Sequence, residues 1–227
     1  MDSTHKEEAL FHALAEVIRA RKTVKVFGSV ENPPPISAQA LAFGDDFVRR
    51  GIAAAGLAPF HFSRQLEGIA EPWRVYWLPA AGCRRLSREI VSWFDDVKPG
   101  NKMPSLLAAC GAVILVAWIP QRAESENEAE KIAGVNEEHL AATAAYVQNL
   151  LLLLEAGGLR TYWSSGGLLK TPQAFERLGI PADRQLLACI FVDYAKDDAT
   201  RPIEIAGGGQ RAKRSPSERW TTEIDWR

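Results

Sequence analysis

The chain has 227 residues, 47% of them hydrophobic and 24% charged, which suits one generous domain with a real core. Lys and Arg number 27 against 28 Asp and Glu, a formal net charge of -1, so no sequence-wide field draws the protein to nucleic acid or anionic lipid. Cys83, Cys110 and Cys189 are odd in number, far apart and without C-x-x-C spacing, and the four histidines form no H-E-x-x-H or H-x-H pattern, which argues against a disulfide framework and a metal centre.

The opening "MDSTHKEEAL" is acidic and polar, unlike a secretory signal, and "AVILVAWI" and "LLLLL" fall far short of the roughly 20 residues of a membrane span. The expectation is a soluble, cytoplasmic protein that meets no membrane. Thr4 followed by Glu7 reads as a capping box, and Leu10, Leu14, Val17 and Ile18 repeat at helical spacing, so a first helix delivers the chain to Arg21. In "RKTVKVF" an extended backbone sends Arg21, Thr23 and Lys25 to one face and Lys22, Val24 and Val26 to the other. Two cations flanking a hydroxyl suit a phosphate; a charged edge strand that deters pairing has the same composition.

After the turn-rich "GSVENPPP", the residues Ile36, Ala40, Phe43, Phe47 and Ile52 mark the buried stripe of a second helix ending near Gly56. A loop begins at "LAPFHF", "WRVYWLP" alternates as a strand, and "SREIVSWFDDV" reads as a helix with Ile90, Val91 and Phe94 inward. The run "CGAVILVAWIP", residues 110–120, predicts a central strand buried on both faces. "NEEHLAATAAYVQNLLLLLEAGG" predicts a helix, apolar nearly all round, over 137–157, stopped by Gly157 and Gly158. "RTYWSSGG" reads as strand and turn, "TPQAFERLGIP" as a short helix, "QLLACIFVDYA" as another buried strand, and "EIAGGGQRAKRSPSERW" as a flexible linker into a basic tail.

Four stretches in this order resemble the FMN-dependent nitroreductase family. "RKTVKVF" is similar to its opening Arg-x-Ser-x-Arg/Lys element, with Thr23 for serine, and "EPWRVYWL" to its Gln-Pro-Trp strand, with Glu71 for glutamine. "AAYVQNLLLLLEAGGLRTYWSSGG" resembles its central helix and Trp-x-x-Gly-Gly turn, and "LGIPADRQLLACIFVDYA" with "AKRSPSE" its penultimate strand and phosphate-binding arm. The resemblance implies an α+β fold with a mainly antiparallel central sheet flanked by helices, in one domain over residues 1–227. It also implies an intertwined homodimer, with a C-terminal arm (about 207–227) reaching the partner, where Trp220 and Trp226 would anchor it.

FMN is the implied cofactor, NADH or NADPH the donor, and an electron-poor small molecule such as a nitroaromatic or quinone the acceptor. Arg21 and Thr23 are implied to face the phosphate or ribityl chain, Lys25 the pyrimidine edge, and Arg214 the phosphate with Lys213 or Arg211 as second contact. Lys22 completes the basic cluster, and the backbone of Ser165, Gly166 and Gly167 would approach the ring, since glycine permits close contact. One segment departs from the family: "APFHFSRQLEGIAEPW" has Phe60 in place of a serine, lacks the expected asparagine and is six residues longer. Phe60 and His61 are taken as bordering the ring. No catalytic side chain is expected, because the flavin carries the chemistry. The altered loop keeps open a specialised enzyme of the same fold, destructase-like or reductive-dehalogenase-like; a flavin-binding protein without turnover is the alternative of a different class.

Overall fold

The computed structural model describes residues 3–95, 97, 100–195 and 198–224. Helix α1 (Ser3–Ala20) runs into strand β1 (Val24–Phe27), and α2 (Ala38–Ala55) starts from Ser37, whose hydroxyl accepts the Ala40 amide at 3.1 Å. Then follow β2 (Trp73–Pro79), α3 (Ala80–Glu89) with a 3-10 turn at Ile90–Trp93, α4 (Met103–Ala109), β3 (Ala112–Trp118) and the 31-residue α5 (Glu126–Ala156). The chain continues with β4 (Arg160–Ser164), α6 (Pro172–Leu178), β5 (Gln185–Asp193) and β6 (Glu204–Gly207).

The main sheet has the order β2-β3-β5-β4, and every pair in it is antiparallel. Central β3 is fully buried from Ala112 to Ala117, as its unbroken apolar run predicts. Its pleat divides the core. Ile114 and Val116, with Ile190 and Val192 of β5, face α2 and α5; Val113 and Leu115, with Cys189 and Phe191, face α3, α4 and α6. The result is a helix layer on each face of an antiparallel sheet, the expected α+β class.

Several expectations need correction. The buried stripe of α2 is Gly44, Val48, Gly51 and Ala55, whereas Phe43 is 49% exposed and Ile36 precedes the helix. Small residues face inward because this helix lies tight on the core: a Cβ on Gly44 would sit 2.3 Å from the Tyr194 ring. Helix α3 starts at Ala80 instead of Ser87 and buries Ala80, Cys83, Leu86 and Ser87; Ile90 is buried, Phe94 only half so, and Val91 is exposed. Helix α5 begins at Glu126, eleven residues before the predicted start, with Glu126 and Glu128 favourably placed at its positive N-terminal end. Helix α1 begins at Ser3, so Thr4 lies inside it and not at its cap.

The largest correction is "EIAG". It is no linker but strand β6, paired antiparallel with β1 from Val24 opposite Gly207 to Phe27 opposite Glu204. A parallel bridge between Thr23 and Thr161 seats this small sheet beside the edge strand β4. A buried ion triad fixes the approach to β6: Arg201 reaches Asp193 at 2.6 Å, Arg160 reaches the same carboxylate at 2.9 Å, and Arg201 also donates to the Ala109 carbonyl at 2.9 Å.

Candidate functional site

Where α1, β1, β4 and β6 meet, they enclose a cavity of about 510 Å³. Its wall carries Arg21, Lys22, Thr23 and Lys25 from the start of the small sheet, Tyr162 and Trp163 from β4, and the run from Gly207 through Gln210 with Arg211 and Arg214. Lys22 shares this wall with Arg21 and Thr23, contrary to strict alternation. The reason is local: the strand begins only at Val24, so residues 21–23 do not yet follow a period of two.

Val24 and Val26, by contrast, point inward, against Ala109 and Ile203. Gly208 supports the other side, donating its amide to the Thr23 carbonyl at 3.2 Å. A side chain there would not fit, since a Cβ on Gly208 would lie 2.8 Å from that of Thr23. Lys25 is placed by its Nζ lying 4.9 Å from the centre of the Tyr162 ring, which itself stacks on Phe191 at 5.8 Å.

The electrostatics are one-sided. Burial lowers the Arg21 pKa, Glu155 pulls it back up, and the neighbouring charges of Arg211 and Arg214 lower it again. Among the described residues, none of Arg21, Lys22, Lys25, Arg211 and Arg214 has a carboxylate within 4.0 Å. Arg211 is nonetheless committed: it donates to the Arg21 carbonyl at 2.5 Å and to the Arg19 carbonyl, capping the negative end of α1. The remaining four cations surround a space of ligand size without an anion of the protein's own, which is the arrangement of an anion site.

The other candidates lie apart from this wall. Lys213 is exposed on the 3-10 turn Gln210–Lys213 and does not line the cavity. The turn after β4 has φ of 104° at Gly166 and 51° at Gly167, and the Gly166 amide donates to the Ser164 hydroxyl at 3.2 Å, with Ser165 exposed. Gly166 is buried against Leu186, so packing already accounts for its glycine.

Phe60 and His61 border a second cavity of about 460 Å³, together with Pro59, Glu138, Ala141, Ala142 and Ala145. Phe60 meets Trp73 edge-on at 5.7 Å, and His61 stacks on Phe62 at 4.5 Å. Tyr162, Trp163, the three glycines and Gln210 were not assigned to the site from sequence; the "GGGQR" run beside a basic pair was the available signal. Trp220 is 72% exposed, and Trp226 lies outside the described residues.

The sequence model of the Nitroreductase family matches residues 18–192. Among curated proteins, YfhC of Bacillus subtilis (strain 168), provisionally named an NAD(P)H nitroreductase, is 24% identical over 188 residues, 80% of this chain and 84% of that protein. Among solved structures, a nitroreductase-like family protein from Bacillus cereus aligns with a TM-score of 0.65 at 21% identity, over 94% of this chain and 96% of that one. The FMN-dependent nitroreductase NfnB from Mycobacterium smegmatis, solved in complex with NADPH, aligns with a TM-score of 0.53 at 18% identity, over 83% of this chain and 90% of that one. These structures share the fold described above.

Proposed function

The chain belongs to the nitroreductase family, and from that premise we propose that it is an FMN-dependent NAD(P)H oxidoreductase acting on an electron-poor acceptor such as a nitroaromatic or quinone. The observation that carries the reading is the cavity whose cations have no carboxylate partner among the described residues. A phosphate monoester supplies the missing negative charge and accepts several charge-assisted hydrogen bonds at once. The volume suits a cofactor of this size, within the range of roughly 300–1,000 Å³ common for ligand sites. Bare backbone at Gly207 and Gly209, where an added Cβ would meet nothing within 4 Å, leaves room beside the aromatic pair Tyr162 and Trp163.

In this reading Arg214 and Arg21 hold the phosphate, Thr23 contributes its hydroxyl to the phosphate or ribityl chain, and Lys22 adds charge at the mouth. Lys25 places a fixed positive charge by the pyrimidine edge, which favours the reduced cofactor electrostatically. FMN, when bound, supplies the hydride chemistry; the chain's residues bind and orient, and no side-chain nucleophile is required of them.

We include a homodimer in the reading. Leu10, Phe11 and Leu14 of α1 are each more than half exposed, and beside them Leu14, Val17, Leu152 and Leu153 line an apolar groove between α1 and α5. Apolar faces of this kind are characteristic of obligate dimers. Phe60, His61 and the turn at Ser165, Gly166 and Gly167 enter the cofactor environment only as contributions to such an assembly.

The test is the oxygen-free visible spectrum of the purified protein, reconstituted with FMN, before and after NADPH and NADH. A flavin spectrum that bleaches with either donor is the expected result. Failure to take up FMN would overturn the reading, and uptake without reduction by either donor would favour a flavin-binding protein without turnover.

A further inference from the structure

The second cavity owes one wall to the loop of residues 57–72, which is firmly built. Arg64 donates to the Ile119 carbonyl at 3.2 Å and to the Pro120 carbonyl at 3.4 Å, and Arg74 holds the Leu66 carbonyl at 2.7 Å. Gln65 and Glu67 adopt positive φ of 47° and 61°, which non-glycine residues sustain only where surroundings enforce it. At the end that carries Phe60 and His61, the side-chain tie to the central helix is His139, whose Nε2 lies 3.2 Å from the Phe62 carbonyl.

The chemistry of that contact fixes the ring's state. A carbonyl oxygen only accepts, so Nε2 must carry the proton and donate. In the neutral imidazole Nδ1 is then bare. Nδ1 is buried without a hydrogen-bond partner, and His139 is fully buried. A second proton would therefore create a buried N–H with no acceptor, in a charged ring repelled by the Arg64 guanidinium.

Burial is the main cause lowering the His139 pKa; the Phe62 carbonyl opposes it and Arg64 lowers it further. On its own helix the Thr143 hydroxyl, one turn on, is committed to the His139 carbonyl at 2.8 Å. Among the described residues, no carboxylate pairs with the ring.

We propose that His139 is a pH-sensitive latch: the neutral ring holds the Phe60–Phe62 segment on the central helix, and protonation releases it, reshaping the wall of the second cavity. Releasing the segment admits water to Nδ1, so the released form binds the proton with an ordinary affinity while the closed form resists it. Closure is then fully stabilised above the ordinary histidine pKa of about 6.5 and progressively lost as pH falls below it. One proton taken up on release limits the effect to about tenfold between pH 7.5 and 5.5.

Hydrogen exchange measured by mass spectrometry on the full chain tests this directly. After correction for intrinsic rates, peptides within residues 57–72 should exchange up to about tenfold faster at pH 5.5 than at pH 7.5, while those of β3 do not change. His139→Gln, whose amide still donates but does not titrate, should abolish the difference. A wild-type ratio near one, or an unchanged ratio in His139→Gln, would overturn the latch. Should that variant fail to fold, the wild-type imidazole is followed by NMR. A midpoint shared by the ring and the loop amides supports the proposal, and separate midpoints sink it.

Discussion

Two clusters of basic residues flank strand β1, one beside Val24 and Val26 and the other beside Thr23 and Lys25, and they are solved in opposite ways. Arg160 and Arg201 converge on Asp193 in the interior, where both the Arg201 and Asp193 side chains are nearly devoid of solvent. Arg21, Lys22, Lys25 and Arg214 converge on a cavity with no carboxylate in reach among the described residues. The first cluster has a counter-charge supplied by the protein, one carboxylate shared by two guanidiniums, and lies on the approach to β6. The second is left positive and mutually repelling, as the proposed phosphate site would be before its ligand binds. Structural charge and functional charge are thus told apart by where the counter-charge resides.

The strongest way to break the comparison is Asp193→Asn. It leaves Arg201 buried without its anion, and removal of one partner of a buried pair costs about 3–5 kcal/mol. Urea denaturation should show a loss of that order. A change below about 1 kcal/mol would mean that the triad is no more structural than the open cluster.

The reciprocal experiment is Arg214→Ala or Arg21→Ala. Losing one hydrogen bond to a charged group weakens binding by about 1.5–3 kcal/mol, so FMN affinity should fall about ten- to a hundredfold in a fluorescence-quenching titration. Folding stability should stay within about 0.5 kcal/mol for Arg214→Ala, whose side chain is exposed and makes no internal hydrogen bond or ion pair among the described residues. Added salt should likewise weaken FMN binding while leaving the buried triad little affected. A variant that unfolds yet still takes up FMN when folded would reverse the two assignments.

A third change probes what joins the clusters. Gly208→Ala forces a methyl to within 2.8 Å of the Thr23 side chain, across the β1–β6 pair. Overpacking of this kind costs about 1–3 kcal/mol. Because the strain falls on the cavity wall and not on the triad, FMN uptake should drop along with thermal stability. Uptake unchanged would show that Gly208 does not shape the site.

What could be seen in the sequence follows the same division between local and distant causes. Strand β3 is legible because burial on both faces leaves an unbroken apolar run, the second half of α5 because Tyr146, Val147, Leu150, Leu151 and Leu154 are buried there, and Arg21, Thr23 and Lys25 because two cations around a hydroxyl are chemically suggestive in any fold. Strand β6 is not legible, since "EIAG" has no alternation and becomes a strand only by pairing with residues 24–27, some 180 positions earlier. The inward face of α2 is hidden for a related reason. Gly44 gives close approach to Tyr194 and Gly51 faces Leu150, while Phe43, which carries part of the hydrophobic signal, is exposed and Phe47 is only partly buried. Phe60 and His61 were grouped with the cations by resemblance, and within one chain they stand in a different cavity.

Arg211 gives the finest test, because it belongs to neither cluster cleanly. It stands in the cavity wall, three residues before Arg214, yet its guanidinium is spent on the Arg19 and Arg21 carbonyls at the end of α1. A cation at a helix C-terminus contributes about 0.3–1 kcal/mol. Arg211→Ala should therefore cost a few tenths to one kcal/mol in stability and weaken FMN binding by only a few fold, through the smaller positive field and a less fixed Arg21. If instead it matched Arg214→Ala in lost affinity, Arg211 would have to abandon the helix end when the phosphate arrives. The cap seen here would then be a resting position of a residue shared between structure and ligand.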